Sequence, residues 1–381
     1  MRTPQTQPNL PQLTWLRGIA AFWVICSHVV RATEVAYGST DVASHSAVLS
    51  LLDLGTLGVA LFFTLSGTTL YLSNRTLAIR SPIAFYIKRF FRIWPAYAIA
   101  LIAYIAFGFV FRAFYTGPDN VWVTSQFSAE YGWLDIAQYL LLSFNFVGQN
   151  GLFNNAFWSL PVEFQYYLTF PLLILALRAH WTAPLALGAL AYLAHRFGWI
   201  VLESNLLLIF FFTFCTGVVL GALSQRVGWR LHPALSLAVF LAILVLNSML
   251  STGRINVALF VYIPSEWVFY GLSAVMMVGL MVFSEVKLPS RVDRVLSHFG
   301  DISYSAYLYH NLIIACLVLV IPRIGFDSGG LRIWSVFVVT VAATYVLATR
   351  SYRHIEQPSM ALGKRLANRS GATASKQLPL N

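Results

Sequence analysis

Thr14-Trp-Leu-Arg17-Gly-Ile-Ala-Ala-Phe-Trp-Val-Ile-Cys26-Ser-His28-Val-Val-Arg31-Ala-Thr33 is the stretch that decides the fold. It is apolar for long enough to cross a bilayer core as a helix, which takes ~20 residues. Arg17 interrupts the run and no A-x-A cleavage pattern follows it, so it reads as an uncleaved first span. Stretches of the same kind fall at 54–73, 86–111, 157–178, 182–199, 206–224, 234–250, 266–284, 302–322 and 332–350. The pattern predicts an all-α integral membrane protein of about ten transmembrane helices. Residues 136–147 are apolar but too short, and are expected to form an interfacial or re-entrant piece. Composition agrees: 10% of the residues are charged and 58% hydrophobic, and mean hydropathy is +0.69. A soluble domain carries about 25% charged residues and could not cover so much apolar surface.

The net charge of +11 raises nucleic acid as a partner, but the distribution of Lys and Arg answers otherwise. With the N-terminus in the cytoplasm and ten spans, the outer side receives only Arg31, Arg112, Arg196, Arg254, Arg323 and Arg332. Arg17 lies within the first span and every other Lys and Arg falls inside, which predicts both termini in the cytoplasm and no nucleic-acid partner. Cys26, Cys215 and Cys316 sit in apolar runs and read as buried thiols. The chain divides into a transmembrane domain, 1–358, and a basic, partly disordered cytoplasmic tail, 359–381.

The residues that carry chemistry are the polar ones inside the spans. Arg17 and His28 lie eleven positions apart on one helix, on nearly the same face, with an axial gap of about 16–17 Å. An Arg in an apolar span is costly and normally faces the bundle interior. Arg17 is also near enough to the span's end to snorkel, and His28 read alone is equally a satisfied interior histidine. Lys88, Arg89 and Arg92 open the third long span. Arg89 and Arg92 share a face, and Arg suits bidentate contact with phosphate, whereas Lys88 reads as an ordinary interfacial anchor. In Phe157-Trp-Ser-Leu-Pro-Val-Glu163, Glu163 falls just inside a helix start, where it either stabilises the helix terminus or meets His28 as a general-base pair. Ser66-Gly67 suits close helix contact, with Ser66 also a candidate. His310 in Ser303-Tyr-Ser-Ala-Tyr-Leu-Tyr-His310 is a second intramembrane histidine, either functional or a hydrogen-bond centre. Glu356 and Pro358 read as a helix terminus. No metal-binding cluster, P-loop or G-x-S-x-G elbow appears.

Taken together, the blocks Arg17-Gly18 with His28, Phe62 to Gly67, Lys88 to Arg92 with Pro95 and Tyr97, Trp158-Ser159 with Glu163, Ser303-Tyr304 to His310, and Glu356 with Pro358 resemble the membrane-bound acyltransferase 3 family of bacteria. The resemblance runs through residues 14–358. It implies a ten-helix O-acyltransferase of the inner membrane that moves an acyl group, usually acetyl, from cytoplasmic acetyl-CoA to a hydroxyl of a sugar or glycan, without a bound cofactor. It also implies a stand-alone form, without the SGNH-type domain of some members. By the same resemblance His28 and Glu163 are catalytic, Arg17, Arg89 and Arg92 hold the donor, and Ser66, Trp158, Ser159, Tyr304 and His310 are further candidates. The expected arrangement puts His28 as general base on the acceptor hydroxyl, with Glu163 or another polar partner orienting the imidazole. The rival class is a secondary transporter or a flippase for a lipid-linked glycan, against which stands the absence of an internal repeat.

Overall fold

The computed structural model describes residues 10–37, 53–116, 121–148, 151–200, 202, 206–251, 266–320 and 329–376. Among them it is helical throughout, with no strand beyond one isolated bridge between Leu231 and Ser284. The long elements are α1 (Pro11–Tyr37), α2 (Gly55–Arg80) and α3 (Pro82–Phe114). Two short helices, α4 (Val121–Phe127) and α5 (Trp133–Leu140), and two 3₁₀ turns, Phe144–Phe146 and Asn155–Trp158, fill the loop that follows. Then come α6 (Ser159–Ala179), α7 (Ala183–Arg196), α8 (Leu206–Leu223), α9 (Pro233–Ser251), α10 (Glu266–Val282), α11 (Ser290–Asp301), α12 (Ser303–Val320), α13 (Gly329–Ser351) and α14 (Gln357–Lys376). A π turn at Tyr352–Glu356 joins the last two.

Each apolar stretch of the sequence thus contains a helix. Among the described residues, 8 helices are long and apolar enough to cross a membrane. The two remaining stretches form shorter helices, α7 with 14 residues and α10 with 17. Residues 136–147 do not form a span: they break into the end of α5 and a 3₁₀ turn, with Leu141, Phe146 and Val147 exposed. Exposed Ile102, Phe109, Leu172, Leu190, Leu237 and Val338 form part of the apolar exterior that suits lipid.

α2 is the hub, packed against α1, α6, α8 and α10. Its small residues permit this, because backbones approach closely only where side chains are short. A Cβ on Gly67 would sit 2.2 Å from the Phe214 carbonyl oxygen of α8, and one on Gly217 would sit 2.2 Å from that of Thr64. Thr68 Oγ1 donates to the Gly217 carbonyl at 3.0 Å across the same contact. Replacing Gly217 with Ala is therefore expected to force the two helices apart, at a cost of about 1–3 kcal/mol. Thermal unfolding in detergent should show a lowered midpoint. An unchanged midpoint would mean that the two helices part there without cost.

At the end of the bundle where α1 begins, the amphipathic α11 packs on α1: Trp15 Nε1 donates to Asp293 Oδ1 at 2.8 Å. Residues 359–381, set apart in the sequence as a tail, continue as helix to Lys376. This helix lies along the start of α3, and a Cβ on Gly363 would meet Phe91. Pro358 gives no N–H to the helix ladder, and the chain passes it with the π turn rather than stopping.

Candidate functional site

Three arginines meet at that same end. Arg17 comes from the second turn of α1, and Arg89 and Arg92 from one face of α3. All three line both of two adjoining cavities. The outer one is bordered by Thr14, Thr69, Ser73, Gly300, Asp301 and Tyr352. The inner one runs past Phe62, Ser66, Ser159, Glu163, Tyr167, Tyr304 and Tyr307.

The arginines are held differently. Arg17 Nη2 donates to Thr69 Oγ1 at 2.9 Å. Arg92 Nη1 donates to Glu356 Oε1 at 2.5 Å and also faces Met360 Sδ. The guanidinium of Arg89 lies over the rings of Phe85 and Tyr167, and its buried Nε has no hydrogen-bond partner among the described residues. A buried donor without an acceptor is costly, and here it belongs to a cation that lines two cavities. An anionic ligand in either cavity would offset the charge of that guanidinium.

Glu163 sits among these cations. Its Oε1 accepts from Ser66 Oγ at 2.6 Å and from Tyr167 hydroxyl at 2.5 Å, one helical turn along. It shares no hydrogen bond with His28, so the expected orienting partnership is not formed. The sequence order allows Glu163 a place at the His28 level, but its side chain packs against α2 at the arginine level.

His28 has other partners. Its Nδ1 lies 2.7 Å from His310 Nε2 and 3.1 Å from Asn311 Oδ1. The two imidazoles stack at 4.9 Å, and Trp122 of α4 sets its ring edgewise to His28 at 5.5 Å. His310 and Asn311 are both fully buried on α12. Tyr307, one turn before Asn311, joins the two levels. It lines the inner cavity, and its ring is 5.9 Å from that of His310. Its hydroxyl donates to the Ala156 carbonyl at 2.6 Å and accepts from Ser159 Oγ at 2.7 Å.

The remaining candidates divide. Ser66, Ser159 and Tyr304 line the inner cavity, Tyr304 with its hydroxyl on the Ile93 carbonyl. Trp158 turns instead to Phe63, Phe210 and Trp267 and is a packing residue. Glu356 is not a mere helix terminus: 1% exposed, it pairs with Arg92 and accepts from Ser305 Oγ at 2.9 Å. Sequence reasoning passes over Tyr167, Tyr307, Asn311 and Asn154. Only the first three carry a signal, as polar residues within apolar spans.

Fold and site together define a multi-pass helical membrane protein with a polar, cation-lined chamber and, beyond it, a pair of stacked histidines, His28 half-buried and His310 buried. Residues 10–349 match the acyltransferase 3 family, described as an acyltransferase domain, and the chain belongs to that family. A curated relative, the acyltransferase MdmB of Streptomyces mycarofaciens, is 32% identical over 173 residues. The match spans 44% of this chain and 40% of the length of that relative. No solved structure matches the chain.

Proposed function

We propose that this protein transfers an acyl group, in the first instance acetyl, from acyl-CoA to a hydroxyl of a sugar or glycan. The observation that carries the proposal is the chamber lined by the three cations Arg17, Arg89 and Arg92. Charge-assisted hydrogen bonds from these groups suit the phosphates of CoA. The excess of Lys and Arg at this end argues that it faces the cytoplasm, where acyl-CoA is found. Family membership favours the bacterial inner membrane, and the name of the relative favours acyl transfer over transport.

His28 lies eleven residues beyond Arg17 on the same helix, an axial distance of about 16–17 Å, which suits the reach of an extended pantetheine arm. In the proposed reaction the acceptor oxygen attacks the thioester carbonyl while its proton passes to the His28 imidazole. The C–S bond then breaks, and the CoA thiolate leaves and recovers the proton from the imidazolium. No acyl-enzyme is required. Glu163, hydrogen-bonded to Ser66 and Tyr167, offsets part of the positive charge of the chamber.

The test is transfer of labelled acetyl from acetyl-CoA in membrane vesicles that contain host glycans. Label should enter a glycan or another hydroxyl-bearing acceptor only when the protein is present. Binding of CoA without any transfer, across a panel of acyl-CoAs and acceptors, would speak for the transporter class instead.

A further inference from the structure

The hydrogen bonds around His28 reach, on two sides, backbone groups whose donor or acceptor role cannot change. On one side, His310 Nδ1 lies 3.2 Å from the Ala306 carbonyl oxygen. A carbonyl only accepts, so Nδ1 of His310 carries the proton and its Nε2 is the lone pair. That lone pair faces His28 Nδ1 at 2.7 Å, which must then be N–H. On the other side, the Ala156 backbone N–H donates to Asn154 Oδ1 at 2.8 Å. That oxygen and the Asn155 Oδ1 both accept from Asn311 Nδ2, at 2.7 and 2.8 Å. The Asn311 amide is thereby oriented, and its Oδ1 is the group left facing His28 Nδ1 at 3.1 Å.

Both chains end on the same demand. We infer that His310 and Asn311, the latter oriented by Asn154, are positioning residues that hold His28 as the Nδ1–H tautomer, with the Nε2 lone pair left to take a proton. One N–H shared between two acceptors is an ordinary three-centre arrangement. The role resembles that of a carboxylate behind a catalytic histidine, but both acceptors here are neutral, which suits a site within the membrane. Trp122 packs edgewise on the ring and opposes its rotation. The inference rests on the proposed role of His28 as general base, and it adds the groups that make the imidazole a base at a defined atom.

Because two acceptors enforce one tautomer, losing either leaves the other. His310→Phe and Asn311→Leu should each lower kcat by about tenfold, with KM for acetyl-CoA unchanged. The double variant should lose about a thousandfold, more than the product of the two, approaching the cost of a wrong tautomer. The direct test needs no variant in these positions: ¹⁵N spectra of histidine-labelled wild-type protein in micelles, with the His28 signals assigned by their loss in His28→Gln. A protonated Nδ1 and a bare Nε2 are expected. A protonated Nε2 on neutral His28, or a double variant no worse than the product of the singles, would overturn the inference. The Nδ1–H signature together with full transfer by His28→Gln would remove the base role and leave the tautomer assignment standing.

Discussion

His28→Ala should abolish acyl transfer, lowering kcat by about three to four powers of ten, while CoA still binds with wild-type affinity. The size follows from what general-base catalysis contributes, typically 10²–10⁴, with no second base in contact to replace it. His310, the immediate neighbour, meets His28 at Nδ1, across the ring from the Nε2 that takes the proton, so its own lone pair is set back from the acceptor oxygen. The unchanged affinity follows from position: His28 is not among the residues lining either arginine-bounded cavity. Arg17→Ala should do the reverse. It removes a cation common to both cavities and should weaken CoA binding by about tenfold to a hundredfold, the usual worth of a charge-assisted hydrogen bond. Steady-state kinetics and calorimetry on the two variants check the contrast. Equal CoA affinity in Arg17→Ala and wild type would take Arg17 out of the donor site.

The parts of this molecule that can be read from sequence are those where an energetic penalty is local. A charged residue in an apolar run is expensive wherever the run ends up, so Arg17, Arg89 and Arg92 stand out from their sequence neighbours alone. The same holds for the helices, since apolar length alone specifies them. Partnerships between helices are not readable in this way. Glu163 is free by order and depth to meet His28, but the register of α6 against α2 brings it to Ser66, 97 residues away. His28 instead meets His310, at a separation of 282 residues, and nothing in either span announces the other. Glu356 escapes the sequence for a different reason. Pro358 normally marks a helix end, and a π turn that lets the chain continue past it has no signature in one sequence. The helix that follows carries Met360 up to Arg92, so this end of the chamber depends on a turn type.

The second large effect is expected at that turn. Arg92 and Glu356 form an ion pair in which the arginine side chain is 24% exposed and the carboxylate 0%. Removing one partner of such a pair leaves a desolvated charge and costs about 3–5 kcal/mol, whereas replacing both by apolar groups of similar size is often neutral. The two single losses differ here because the exposures differ. Arg92→Met strands a carboxylate that keeps only the Ser305 hydroxyl and is closed off from water. Glu356→Leu strands a guanidinium that lines two cavities and can reach solvent or a bound anion. Arg92→Met should therefore lower the thermal midpoint in detergent more than Glu356→Leu, and CoA should raise the midpoint of Glu356→Leu. The combined Arg92→Met, Glu356→Leu protein should recover most of the stability yet bind CoA about tenfold more weakly, since one charge-assisted donor is gone. That combination separates the two duties of Arg92. A double variant as unstable as Arg92→Met alone would show that the pair holds α3 to the π turn directly, rather than merely neutralising a charge buried between them.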